Sequence, residues 1–170
     1  MGFTIIELMI GIAIIAILLA IALPSFQSMI LGIQVKSAAE ALNNGLQLAK
    51  AEAVRRNNNV TFALGTGTAW TVGCTIPIAD SNADGVDECP AVIQSRPNEI
   101  GSGNVTLAVS PAGATTVTFN GLGRTVAANP IARMDVAAVG TNKILRVQIS
   151  GGSIRMCDPT IVSTANARKC

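Results

Sequence analysis

Residues 2–26 of the chain read GFTIIELMIGIAIIAILLAIALPSF, and this stretch decides the architecture. Glu7 is its only charged residue, and no further charge follows until Lys36. About 20 apolar residues in a helix are enough to cross the roughly 30 Å hydrocarbon core of a bilayer. The segment is therefore long enough to span a membrane. Outside lipid it would need a bundle of similar helices around it.

A cleaved secretory signal and an ordinary membrane anchor are two simpler interpretations of this segment. A secretory signal has a basic region before its apolar core and a small-residue cleavage site after it. Here no Lys or Arg precedes the run and no A-x-A site follows it. An ordinary anchor does not account for Glu7, because an acid inside a membrane helix costs a few kcal/mol and is normally retained with a partner. Cleavage between Gly2 and Phe3 would supply that partner, since the new amine of Phe3 lies four residues from Glu7 on the same helix face.

The run from Gly2 to Pro24 resembles the class III signal and amino-terminal helix of type IV pilins and type II secretion pseudopilins. In that family a membrane peptidase cuts after the glycine and methylates the new N-terminus. The resemblance implies that Gly2 precedes the cut and that Phe3 is the first mature residue. It also implies that Glu7 pairs with the amine of a neighbouring subunit, and that the helix loosens at Pro24, which lacks an N–H. The family's leader is usually basic, so residues 1–2 are expected to be a leader remnant.

Beyond the apolar run, small apolar residues recur at helical spacing and predict a buried helix face; they are Val35, Ala38, Ala39, Leu42, Leu46, Ala49 and Ala53. Arg55 and Arg56, followed by three Asn residues, predict the helix end, because cations favour the carbonyl terminus and Asn tolerates left-handed backbone. One nearly continuous helix is therefore expected over 3–56. Residues 3–30 would form its membrane-spanning or filament-core part, and residues 31–170 the globular head.

After residue 59 the sequence changes to short strand-like stretches separated by Gly, Asn, Pro and Ser clusters. These stretches are 60–64, 69–72, 91–94, 105–109, 116–119, 144–149 and 153–156. They predict an α+β fold in which the long helix packs on an antiparallel β-sheet, as in pilins.

Three later segments resemble the minor pilins of the FimT/FimU kind and the GspH-type minor pseudopilins; they are 47–57, 119–124 and 149–157. This resemblance implies a subunit at or near the tip of a type IV pilus or type II secretion pseudopilus that supports filament assembly. It disfavours a major pilin. Its partners would be other major and minor pilins or pseudopilins, the prepilin peptidase/N-methyltransferase and the bacterial inner membrane, with the head in the periplasm before assembly.

The composition excludes several classes of activity. The 170 residues contain no His, which excludes Ser-His-Asp, Cys-His and HExxH chemistry. Aromatic residues make up 3% of the chain, too few for a stacking platform that binds single-stranded nucleic acid. The resemblance to pilins, which are filament subunits, implies that the chain is not an enzyme.

Four cysteines lie in the part expected outside the cytoplasm, where disulfides form. They allow three pairings. Cys74–Cys89 and Cys157–Cys170 are favoured because each bond closes a short loop. The second pair also resembles the disulfide-bound carboxy-terminal region of pilins.

The segment 80–88 matches the first half of an EF-hand loop, with oxygen ligands at Asp80, Asn82 and Asp84. Asp87 or Glu88 could replace the missing carboxylate of the last position. Calcium is therefore a possible ligand, and no other cofactor is expected. The alternative is an acidic solvated loop whose residues simply favour turns.

Basic residues concentrate in the last fifty positions and raise the alternative of a minor pilin that binds double-stranded DNA for natural transformation. FimT-type pilins that capture DNA carry a Gly-Arg-x-Arg motif, where this chain has Ser153 in place of the first Arg. Phosphate contacts need charge more than a motif. The candidates are Arg124, Arg146, Arg155, Arg168 and Lys169. An ordinary solvated basic face is the competing interpretation.

Overall fold

The computed structural model describes residues 4–81, 87–98, 104–126 and 128–170. One helix, α1, spans Ile5–Arg56 and contains 52 residues. Its first turn is capped by Thr4, whose Oγ1 accepts a hydrogen bond from the Glu7 N–H at 3.3 Å. Its C-cap is Asn57, which adopts left-handed backbone with φ 48°. The Asn57 N–H donates to carbonyls of the last turn. The predicted helix end is confirmed.

The described residues after the helix form eight strands in two antiparallel sheets. The strands are β1 (Val60–Leu64), β2 (Trp70–Cys74), β3 (Gln94–Arg96), β4 (Val105–Ser110), β5 (Thr116–Phe119), β6 (Arg133–Ala138), β7 (Leu145–Ser150) and β8 (Ser153–Cys157). Sheet I has the order β3-β2-β1-β5, and sheet II has the order β4-β6-β7-β8. The carboxy-terminal half of α1 packs against both sheets. This confirms the α+β class.

The core lies between α1 and the inner faces of the sheets. All seven helix residues of the predicted apolar face are fully buried. Sheet I contributes Phe62 and Trp70, whose ring centroids lie 5.8 Å apart. A Cβ built on Gly45 would lie 2.8 Å from both rings, so glycine at this position lets the helix approach the sheet closely. Sheet II contributes Met134, Val136, Val147 and Ile149 from alternate positions of two strands.

Three features of the head differ from the sequence prediction. The strands form two sheets, where one was expected. Strand β6 was not predicted, because Arg133, Asp135 and three alanine or methionine neighbours have little strand preference. Strand β3 begins at Gln94, three residues after the predicted start, and the residues before it (91–93) pass close to β2 without strand geometry.

Candidate functional site

The amino-terminal half of α1 is an apolar surface with one carboxylate. Its described large apolar side chains are exposed from Ile5, at 82%, as far as Ile30, at 40%. Glu7 lies in the first turn and is also exposed. Within the described ranges, α1 is the one helix long and apolar enough to cross a membrane. A surface of this kind requires lipid or other apolar helices around it.

Two of the predicted processing and assembly residues, Gly2 and Phe3, lie outside the described residues. The helix is continuous through Pro24, where the sequence predicts a looser turn. Proline removes the hydrogen bond that its N–H would donate to the preceding turn. The loosening at this position stays a prediction, as does the pairing of Glu7 with an amine.

The structure contains the two disulfides favoured from the sequence, Cys74–Cys89 and Cys157–Cys170. The first joins the end of β2 to Cys89, which directly follows residues 80–88, called here the acidic segment. The second joins the end of β8 to the last residue. Within its loop the Asp158 N–H donates to the carbonyl of Arg168 at 2.7 Å, so the carboxy-terminal segment folds back along β8.

An arginine at the end of α1 holds the acidic segment against the helix. Arg56 Nε donates to Glu52 at 2.8 Å, and its Nη1 donates to the backbone carbonyl of Glu88. Arg55 also donates to Glu52, at 2.7 Å. The hydrogen bond from Arg55 is the main cause that lowers the pKa of the Glu52 carboxyl, and burial opposes it. This cluster fixes one end of the segment that the sequence identifies as a calcium candidate.

Two described carboxylates of that segment accept hydrogen bonds from residues of the same segment. Asp87 Oδ1 accepts from the Asp80 N–H at 3.1 Å, and Glu88 accepts from the Ser81 N–H at 3.0 Å. The hydroxyl of Ser81 also donates to Glu88, and this bond is the main cause that lowers the pKa of the Glu88 carboxyl. Asn82 and Asp84 lie outside the described residues. Among the residues that are described, no group of three or more His, Cys, Asp or Glu could hold a metal ion.

Three of the five basic candidates are engaged within the head. Arg146 pairs with Asp135 across neighbouring strands. Arg155 Nη2 donates to the carbonyls of Ala167 and Lys169, at 3.2 and 2.5 Å. Lys169 Nζ donates to the carbonyl of Val162 at 3.0 Å. Carbonyl partners leave the charge of Arg155 and Lys169 uncompensated, whereas Asp135 neutralises Arg146.

A row of side chains across the outer face of sheet II contains Arg155 and a further arginine. The register aligns Ser110, Arg133, Gln148 and Arg155 on four neighbouring strands. Arg133, Gln148 and Arg155 are exposed. Arg133 was not among the sequence candidates, because finding it requires β6 and its alternation of outward and inward residues. Arg124 is also exposed. It lies near the turn that joins β7 to β8, because a Cβ built on Gly152 would lie 3.1 Å from the Cα of Arg124.

Two protein families match the chain. The family described as "Type II transport protein GspH" matches residues 38–164, and the "Prokaryotic N-terminal methylation motif" matches residues 2–23. The second match contains Gly2, Phe3 and Glu7. A curated relative, the "Fimbrial protein" of Moraxella nonliquefaciens, is 46% identical over 86 residues, which are 51% of this chain. The match spans only 46% of that relative's length.

Two crystal structures of the type IV minor pilin FimU from Pseudomonas aeruginosa PAO1 share the fold. One matches with a TM-score of 0.55 and 19% identity over 76% of this chain and 92% of that chain. The other, from a second crystal form, matches with a TM-score of 0.50 and 20% identity over 76% and 97%. The chain therefore belongs to the GspH family and carries the amino-terminal methylation motif, with the fold of the minor pilin FimU.

Proposed function

We propose that the chain is a minor pilin or minor pseudopilin, made as a membrane prepilin and assembled at or near the tip of a filament. The prepilin peptidase cuts between Gly2 and Phe3, and the new amine is methylated. The head, residues 31–170, lies in the periplasm before assembly. The role is mechanical: α1 packs among the helices of neighbouring pilins, and the head completes the tip. No catalytic chemistry is assigned to the head.

One observation carries this proposal: the exposed, apolar amino-terminal half of α1 has a single charged residue, Glu7, in its first turn. A membrane anchor needs no acid at that depth, and burying one without a partner is unfavourable. The amine created by cleavage before Phe3 neutralises it, in the same chain or in a neighbour. A stagger of about one turn between adjacent helices would align the amine of one with the acid of the next.

The maturation step is tested by intact-mass spectrometry of the chain purified from membranes of a cell that makes the filament. The expected N-terminus is Phe3 with one methyl group. The peptidase-deficient strain is the control and should yield uncut, unmethylated chain. Unprocessed protein in both strains would contradict the proposal.

The kind of filament is tested by proteomics of sheared, purified pili. A minor pilin should be found in pili at low abundance relative to the major subunit. A minor pseudopilin should be absent from pili and should co-purify with other pseudopilins after cross-linking. Absence from both preparations would contradict a filament role of either kind.

A second candidate function, binding of duplex DNA, is supported by the outer face of sheet II. Arg133 and Arg155 flank Gln148 in one row, and Arg124 lies near the end of that face. Exposed arginines on one face can contact phosphates of a duplex backbone. Arg168 and Lys169 would extend the contact through the carboxy-terminal segment. Arg146 contributes little, because Asp135 compensates its charge.

Fluorescence anisotropy with labelled duplex DNA tests this candidate on the full chain in neutral detergent. The affinity should fall steeply with salt, and the Arg124→Gln/Arg133→Gln variant should weaken it at every salt concentration. The Lys36→Gln/Lys143→Gln variant removes the same charge from another surface and should bind nearly as the parent does. Equal losses in both variants, or salt-independent binding, would contradict the assignment.

A further inference from the structure

The loop between β6 and β7 is the part of the head that contacts the earliest buried turn of α1. A Cβ on Gly140 would lie 2.9 Å from Cδ1 of Leu31, and a Cβ on Gly32 would lie 3.5 Å from Cδ of Lys143. The described helix side chains at 12–21 and 26–30 are exposed. The loop therefore lies where the apolar helix enters the head.

Two exposed side chains of this loop suit a position at a bilayer surface. Val139 opens it with its side chain 86% exposed, and Lys143 near its end is also exposed. An apolar side chain beside a cation suits the boundary between acyl chains and headgroups, where the first is buried and the second meets phosphate.

A cavity of about 260 Å³ opens beside the loop and is lined by both basic and apolar side chains. Its cations come from α1, the β6–β7 loop and the carboxy-terminal segment: Lys36, Lys143 and Arg168. Leu145 and Met156 supply apolar lining.

Two acids lie near these cations. Asp158 lines the cavity, and its Oδ1 accepts from the N–H and hydroxyl of Thr160, at 2.9 and 2.6 Å. Glu40 lies 3.6 Å from Lys36 Nζ in an exposed pair. In the described part of the chain, no carboxylate lies within ion-pair distance of Lys143 or Arg168. The cavity therefore keeps a net positive charge.

The depth of the cavity along α1 matches the headgroup layer. The uncharged run covers residues 8–35. At 1.5 Å per residue that run is about 42 Å long, against roughly 30 Å of hydrocarbon and about 40–45 Å including the polar layers. When the run spans a bilayer, Lys36 emerges at the level of the phosphates. Lys143 lies beside Gly32, one turn closer to the membrane.

We propose that this cavity binds the phosphate of an anionic phospholipid while α1 is in the membrane, with Val139 at the acyl boundary. The assignment rests on the membrane-anchored precursor of the proposed function. A lipid fits better than a soluble phosphate, because the cavity joins three cations to apolar lining and opens next to the membrane-spanning helix. Basic pockets at the ends of membrane helices bind anionic headgroups by the same combination.

Native mass spectrometry of the full chain tests the proposal, in nonionic micelles containing equal amounts of phosphatidylglycerol and phosphatidylcholine. The parent should retain phosphatidylglycerol preferentially. The Lys36→Gln/Lys143→Gln variant should lose that preference, by about fivefold for each cation removed. The Arg124→Gln/Arg133→Gln variant, with the same net charge, should keep it. No preference in the parent, or equal loss in both variants, would overturn the assignment.

Competition separates the lipid from a soluble ligand. Millimolar glycerol phosphate should leave the bound phosphatidylglycerol in place, because it lacks the acyl chains. Displacement at that concentration would overturn the lipid assignment and indicate a site for free phosphate. If the parent chain is cut after Gly2 and enters filaments but shows no lipid preference, this inference alone is rejected. A parent chain that is never cut contradicts the proposed function.

The position of the loop is measured by tryptophan quenching in proteoliposomes. The chain has one tryptophan, Trp70, which is buried in the head. In the Val139→Trp variant, phosphatidylcholine brominated near the headgroup should quench the added fluorescence more strongly than lipid brominated near the acyl terminus. Emission from the parent gives the Trp70 background. An unquenched Trp at position 139 would overturn the placement of the loop on the bilayer.

Discussion

Arg146 and Asp135 form a bidentate ion pair across β7 and β6, with Nε and Nη2 of the arginine 2.6 and 2.9 Å from the two carboxylate oxygens. Each side chain is about three-quarters buried, with 23% and 24% exposed. The hydrogen bond to Asp135 is the main cause that raises the pKa of Arg146 above its usual value. The pair joins two strands of sheet II and removes Arg146 from the charges available to a ligand.

Replacing Asp135 by Ala should lower the free energy of unfolding by about 1–3 kcal/mol, because a partly buried guanidinium loses its partner. Thermal unfolding of the full chain in detergent, followed by Trp70 fluorescence, measures the loss. The double variant Asp135→Ala/Arg146→Ala should recover part of the stability. A single variant as stable as the parent would show that the pair contributes nothing measurable.

Acidification should weaken the contact between the end of α1 and the acidic segment. The pKa of Glu52 is lowered below its usual value, chiefly by its hydrogen bond from Arg55. A carboxyl with a depressed pKa in the folded state stabilises fully above the pKa of the unfolded chain. That contribution is lost as the pH falls through the folded pKa.

The stability advantage of the parent over Glu52→Gln should therefore be constant near neutral pH and shrink below about pH 4.5. The melting temperatures of both proteins between pH 3 and pH 7 provide the comparison, and the other carboxyl groups cancel in the difference. An advantage that grows on acidification would contradict the assigned role of Glu52.

Substitution of Gly45 by Ala should destabilise the head by about 1–2 kcal/mol, because the new methyl would press on Phe62 and Trp70. This loss outweighs the gain in helix propensity that the same change brings on an open face. Gly11→Ala is the matched control in the same helix, since no atom lies within 4 Å of a Cβ at that position. If the Gly45→Ala variant melts at the same temperature as the parent, α1 can move away from sheet I to make room for the methyl group. That result would contradict the prediction.

Much of the helix could be predicted from local patterns. The stop at Arg56 follows from two cations and an Asn that tolerates left-handed backbone, and the buried face follows from the spacing of residues such as Leu42 and Leu46. Both are determined within a few residues of sequence. The importance of Glu7 could also be predicted from the local sequence, because it is the only charged residue in an apolar run.

The arrangement of the strands could not be predicted in the same way. Strand β6 carries Arg133 and Asp135 on its outer face, and their partners Gln148 and Arg146 lie on β7, eleven or more residues away. The division into two sheets depends on which distant strands pair. The row that contains Arg133 and the cavity beside Lys143 therefore became visible only in three dimensions.

An ordinary solvated loop is the expected state of residues 80–88, in which Asp87 and Glu88 accept hydrogen bonds from the backbone at Asp80 and Ser81. Isothermal calorimetry of the full chain with millimolar Ca²⁺ should give only heats of dilution. A saturable signal that the Asp87→Asn variant abolishes would contradict this expectation and restore the EF-hand-like interpretation of the segment.

The central claim, that Glu7 is retained to neutralise a subunit amine during assembly, is tested most directly by comparing Glu7→Ala with Glu40→Ala in cells. Each variant removes one exposed carboxylate of the same helix, but Glu40 lies in the head and pairs with Lys36. The amounts of each chain in membranes and in purified filaments are measured by immunoblot. The account predicts that both variants reach the membrane with intact heads and that only Glu7→Ala is missing from filaments. Normal incorporation of Glu7→Ala would contradict it.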